Sequence, residues 1–200
     1  DEAPVFETIL EKACDLGETE TALLVLANDE RTEMISVAGK GNRQEYLDRM
    51  MNTPVPLNAT IADVSGKAIL DGEVVHVEDL RLTELYRQRE PYRVAAVEED
   101  GVRTALAVPL ISGGQGIGTF VLYRRDVRPF APDQIALLET FAAQAVIAIE
   151  NSRQFRELQT RLEREAATRE ILSVISQSQE DARPVFDVIL ENAARLCGAS

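Results

Sequence analysis

Val102-Arg103-Thr104-Ala105-Leu106-Ala107-Val108-Pro109-Leu110-Ile111, then Ser112-Gly113-Gly114-Gln115-Gly116, then Ile117-Gly118-Thr119-Phe120-Val121-Leu122-Tyr123, is the stretch that decides the fold. Thr104 to Ile111 and Gly118 to Tyr123 are strongly β-forming runs on either side of a glycine cluster, which predicts a β-hairpin. The run Gly113-Gly114-Gln115-Gly116-Ile117-Gly118 also has the look of a phosphate-binding loop. Such a loop must lead into a helix, whose free N–H groups and dipole hold the phosphate. Here a strand follows, so the glycines read as a turn.

Working outward, Thr21 to Ala27 and Glu33 to Val37 are β-rich runs joined by Asn28-Asp29-Glu30, a second antiparallel hairpin. Asn42 to Met51 and Thr60 to Leu70 read as short helices. The latter opens on Thr60 with Asp63 three residues on, a start that resembles a capping box, and stops at Gly72. Val74 to Val77 is a short strand. Asp79 to Asp100 is polar and irregular, which predicts a surface loop with a helical piece before Gly101. Beyond Arg124-Arg125-Asp126, Pro132 to about Gln177 contains no internal Gly or Pro and predicts one long helix. At about 1.5 Å per residue it would measure on the order of 65–70 Å, so its second half is expected to project or pair.

The two ends of the chain repeat one another. Pro4-Val5-Phe6-Glu7-Thr8-Ile9-Leu10-Glu11-Lys12-Ala13-Cys14-Asp15-Leu16 aligns with Pro184-Val185-Phe186-Asp187-Val188-Ile189-Leu190-Glu191-Asn192-Ala193-Ala194-Arg195-Leu196, with eight of the thirteen positions identical. Both copies space their apolar residues as a helix does. Three segments are therefore expected: a first domain over 1–151, a connector over 152–178, and over 183–200 the first helix of a second domain of the same kind.

Composition narrows the function. Thirty-four acidic against twenty-one basic residues give a formal net charge of −13, which repels phosphate backbones and anionic lipid surfaces, so nucleic acid and membrane-surface partners are disfavoured. Cys14 and Cys197 are the only cysteines, too few and too far apart for a disulfide framework or a metal motif, and a reducing, cytoplasmic setting fits them. The most apolar run, Ala142 to Ile149, is far short of the roughly 20 residues that span a bilayer. His76 is the single histidine and sits between Val75 and Val77, where it either packs in a strand or lines a pocket. One histidine builds neither a metal pair nor a Ser-His-Asp relay with its sequence neighbours. Catalytic and metal residues are expected to be absent.

The hairpin residues quoted above resemble the terminal hairpin of the GAF domain family. Phe130-Ala131-Pro132-Asp133-Gln134-Ile135-Ala136-Leu137-Leu138-Glu139 through Asn151 resembles the helix that follows it, and Val75-His76-Val77-Glu78-Asp79-Leu80 and the Pro-Val-Phe helix extend the likeness over roughly residues 3 to 155. The resemblance implies an α+β fold, an antiparallel sheet with helices on both faces. The terminal helices would cover one face, and a small-molecule pocket would lie on the other, under the central helices and loop. Family members bind cyclic nucleotides, bilins, haem or nothing known, so the family leaves the cofactor unknown. Tyr123-Arg124 stands where the cyclic-nucleotide subset has Asn-Lys, and Phe130 with Asp133-Gln134 stands where it has Phe with Asp-Glu. No cysteine lies in the central loop to hold a bilin. The candidate ligand residues are His76, Leu80, Tyr86, Tyr92 and Val94.

Past Asn151, Phe155, Leu158, Leu162, Glu165, Arg169, Leu172 and Ser176 alternate at spacings of three and four, the seam of a coiled coil with a polar break at Glu165 and Arg169. This resembles the signalling helices of bacterial sensor kinases and cyclases. The expectation is a non-catalytic, homodimeric sensory module that relays a signal to an output domain, a histidine kinase or nucleotide cyclase, beyond residue 200. The alternative is a purely structural dimerisation module with a degenerate pocket.

Overall fold

A computed structural model of the chain describes residues 2–58, 64–177 and 189. The expectation for Pro184 to Leu196 lies, apart from Ile189, outside the described residues, as does the Thr60/Asp63 cap. The chain forms two compact units, residues 1–150 and 151–200.

The first unit runs α1 (Ala3–Gly17), β1 (Thr21–Ala27), β2 (Glu33–Lys40), α2 (Gln44–Asn52), β3 (Val55–Pro56), α3 (Val64–Asp71) and β4 (Val75–Val77). Two short helices follow, α4 (Glu84–Arg87) and α5 (Pro91–Val94), then a π turn at Ala95–Glu99, β5 (Thr104–Ser112) and β6 (Gln115–Arg124). The long helix α6 (Pro132–Gln177) begins in this unit. The six strands form one antiparallel sheet in the order β3-β2-β1-β6-β5-β4.

The β5–β6 hairpin closes on Gly113 and Gly114, with φ of 55° and 80°, between the paired residues Ser112 and Gln115. Two successive positive φ values are the signature of a type I′ turn, whose twist matches the strands and which only glycine and a few polar residues adopt cheaply. Gly116 and Gly118 serve differently. A Cβ at Gly116 would lie 2.2 Å from the carbonyl oxygen of Ile69 at the end of α3, and one at Gly118 would lie 2.5 Å from the Val25 carbonyl oxygen. The glycines thus form a turn and two close backbone approaches.

Alternation along the central strands feeds two cores. Leu24, Leu106, Val108, Phe120 and Leu122 face α1 and α6, meeting Phe6, Leu10, Ala13, Leu138, Ala142 and Val146. Leu23, Val25, Ala105, Ala107, Val121 and Tyr123 face the other way, against Tyr46 of α2, Ala68 and Ile69 of α3, Leu80 and the π-turn residues Ala95 to Val97. Burial on both faces is why β1 and β5 read as unbroken apolar runs. The terminal helices therefore cover one face and the central segments the other.

Helix α6 contains an 18-residue window with a mean hydropathy of 1.2, so by length and composition it could cross a membrane, although its most apolar run is short. Leu138, Ala142, Ala145, Val146 and Ile149 of that helix are buried in the core of the first unit, which accounts for part of the apolarity, 28% of the window being buried. Cys14 is likewise a core residue of α1, its thiol pushed up to about 11 by burial.

Candidate functional site

The residues suggested by sequence do not all meet. Val75 and Val77 pack on the core beneath the central helices, so His76, between them, points to the opposite face. There its Nε2 accepts the backbone N–H of Phe130 at 3.2 Å, and its ring meets that of Phe130 edge-on, 5.8 Å between centroids. Burial holds the imidazole below its ordinary pKa, in keeping with a neutral ring acting as acceptor. His76 fastens the turn before α6 and is separated by the sheet from the other candidates.

Leu80 and Tyr92 do come together, across a small cavity between α2, α3 and the π turn that Tyr46, Val64, Ala96 and Tyr123 also line. Tyr86 packs at the edge of this core, and its hydroxyl donates to Glu98 at 3.2 Å. Val94 is half-buried and does not line the cavity. The space measures about 10 Å³, room for one water.

Two polar latches hold the cavity's roof. Asp79 receives a forked ion pair from Arg103, with Nε at 3.0 Å and the terminal nitrogen at 2.6 Å, and this keeps its carboxyl below the usual range. Arg103 also accepts the Leu80 N–H on its carbonyl at 2.7 Å, which seats Leu80 on the sheet. Asp100, fully buried, accepts from the Asn42 amide at 2.8 Å, the Arg43 backbone N–H at 2.9 Å and the Arg125 guanidinium at 2.7 Å. It ties the π turn to the start of α2.

Sequence reasoning missed Arg93, which lines the same cavity, is only 5 % exposed and leaves its buried Nε without a partner. It missed Arg124 too. That guanidinium donates to the carbonyls of Gly17, Arg128 and Pro129 at 2.8, 2.8 and 2.9 Å and lies 3.9 Å over the Phe130 ring. It clamps the C-terminus of α1 to the turn before α6. A larger open trough nearby, about 600 Å³, carries both signs of charge, with Asp15, Glu18, Arg125 and Arg128 on its walls. Among the described residues no group of three His, Cys, Asp or Glu side chains could hold a metal.

In the second unit, Phe155, Leu158, Leu162 and Leu172 are exposed, by 70, 56, 57 and 58 %. Glu165 and Arg169, the polar pair of the predicted seam, meet each other along the helix at 3.3 Å.

A sheet of this order, wrapped by its terminal helices on one side and by short central helices on the other, is the architecture of small sensory domains. The sequence profile of the GAF domain matches residues 1–149, and the chain belongs to the GAF family, the sensory domains of signalling proteins. Its structure is similar to that of a domain assigned to a two-component sensor histidine kinase of Sinorhizobium meliloti 1021, with a TM-score of 0.61 and 19% identity over 80% of this chain and 97% of that one. The second GAF domain of DevS from Mycobacterium smegmatis matches at 0.59 and 20%, over 79% and 99%. A GAF domain/HD domain protein from Geobacter sulfurreducens matches at 0.63 and 16%, over 77% and 95%. At these identities the likeness is one of fold.

Proposed function

We propose that this chain is a non-catalytic, cytoplasmic sensory module that works as a homodimer, takes a small molecule into the space between α2 and the π turn, and passes the signal along α6 to an output domain. The observation that carries this reading is α6. A single helix supplies core residues to the first unit, from Leu138 to Ile149, and then presents Phe155, Leu158 and Leu162 to solvent. Exposed large apolar residues at alternating three- and four-residue spacing are what a parallel partner helix buries.

A short route supports relay from the cavity to the helix. Tyr123 lines the cavity, and the next residue, Arg124, on the other face, grips the turn from which α6 starts. A ligand that displaces Tyr123 would bear on that grip, and would shift the helix pair by its differential affinity for the two arrangements. The kinase-associated relatives favour a histidine kinase as the output; a nucleotide cyclase is the other candidate.

Replacing both Leu158 and Leu162 with Asp tests the pairing. Light scattering should report a dimer for the wild-type chain and a monomer for the variant, with unchanged thermal unfolding of the first unit. A variant that stays dimeric removes the connector from the interface. The size of the cavity favours a second reading, a structural dimerisation module whose pocket has closed. Native mass spectrometry of the purified chain separates the two: a retained small molecule supports sensing.

A further inference from the structure

Among the described residues, Arg93 is a buried cation without a counter-ion. Of the carboxylates near it in sequence, Glu90 accepts Arg93's own backbone N–H at 2.7 Å, Glu98 pairs with Arg89 at 2.6 Å, Glu99 with Arg49 at 2.7 Å and Asp100 with Arg125 at 2.7 Å, and none forms an ion pair with the Arg93 side chain. Arg124, the other arginine of comparable burial, also has a buried Nε without an acceptor, but its terminal nitrogens donate to three carbonyls, whereas the Arg93 guanidinium has no such partner among the described residues. Arg93 makes no ion pair among the described residues, and its Nε is sealed from water without an acceptor. A buried charge in that condition is unfavourable until an acceptor arrives, and a guanidinium receives a planar oxyanion on two parallel N–H groups.

We propose that the cavity bounded by Tyr46, Tyr92 and Tyr123 is an oxyanion subsite, in which Arg93 receives the carboxylate, or an inorganic oxyanion of similar size, of the sensed molecule. This rests on the sensing reading above and gives its ligand a charge class. As it stands the cavity holds about one water, so a carboxylate or nitrate reaches Arg93 only as the walls formed by Tyr46, Tyr92 and Tyr123 part around it. With a net charge of −13 the chain repels anions in general, so a selective response would come from a built site.

The chain has four tyrosines and no tryptophan, and three of the four line this cavity, so its intrinsic fluorescence reports on the site. The full chain is titrated with sodium acetate, sodium nitrate and sodium phosphate against sodium chloride at equal ionic strength, following tyrosine emission and the unfolding temperature. Acetate or nitrate should give a saturable change that chloride does not, and whichever acts separates an organic from an inorganic source. Arg93→Gln should weaken it at least tenfold. Arg93→Met, close in volume and apolar, replaces that variant if it fails to fold. Responses that match chloride in the wild type, or that survive in both variants, overturn the assignment. Native mass spectrometry distinguishes the two failures. A neutral molecule retained by wild type and Arg93→Gln alike refutes the oxyanion subsite and leaves the sensing module standing, whereas no retained molecule and no anion response remove both.

Discussion

Replacing Arg124 with Met would remove the clamp between α1 and the turn before α6 while keeping most of the side chain's volume. The guanidinium makes three hydrogen bonds to carbonyls, of which the one to Gly17 is buried and those to Arg128 and Pro129 are partly so. Hydrogen bonds from a charged donor contribute about 1.5–3 kcal/mol each, and a stacked cation adds about 0.5–1. These do not add, because one group makes them all. Burial also lowers the pKa of Arg124, so the folded state bears a desolvation cost that Met relieves. Taking the buried bond at full value and the others at a fraction, then subtracting that relief, leaves a loss of about 2–3 kcal/mol. Against a typical total of about 5–15 kcal/mol this is large. Urea unfolding followed by tyrosine fluorescence measures it cleanly, since all four tyrosines lie in the first unit. Arg124→Lys, which keeps the charge but cannot reach three carbonyls, should fall between wild type and Met. A loss below about 1 kcal/mol for Met, or a Lys variant as stable as wild type, would refute the clamp.

The glycines of the hairpin should separate by cause. Gly116→Ala and Gly118→Ala drive a Cβ into backbone oxygens at 2.2 and 2.5 Å and should each cost roughly 1–3 kcal/mol or more in urea unfolding, whereas Gly113→Ala meets open space and should cost only about 1–2 for its left-handed backbone. His76 should make stability depend on pH. Its folded pKa lies below the ordinary value of about 6.5, so the unfolded chain binds the extra proton; its contribution is complete above that pH and declines as pH falls from there toward the folded pKa. His76→Gln should flatten this part of the profile between pH 7.5 and 5.5, and an unaltered slope would show that the decline belongs to other groups.

The strand limits of the sequence reading erred where tertiary contact decides the backbone. The second strand was expected to stop at Val37, before Ala38-Gly39, but continues to Lys40, because Gly39 leaves room for Leu47 of α2, whose Cδ1 lies 2.3 Å from where a Cβ would stand. Strand β3, only Val55 and Pro56, is too short to show any period; it exists through its pairing with Glu33 and Met34. The long helix was legible through the described residues, since no Gly or Pro between Pro132 and Gln177 interrupts it.

The candidate site was legible in part, and the division follows from symmetry along the strand. Val75-His76-Val77 already states that a histidine between two valines faces away from them, so its separation from Leu80 and Tyr92 was written in the alternation. Arg93 was not visible in this way. It follows Tyr92 in a loop rich in charge, Tyr86 to Asp100, where each arginine and glutamate looks equally solvated. What buries Arg93 is the sequence of two short turns after Pro91: the Glu90 side chain caps α5, and the backbone then widens into the π turn at Ala95, carrying Ala95, Ala96 and Val97 onto the sheet. A widened turn of this kind has no composition signal, yet it decides which of the loop's cations is shut in beside three tyrosines and which remain in water. The family's sheet is thus read from glycines and apolar alternation, while the chemistry of its pocket depends on backbone irregularity that local sequence does not encode.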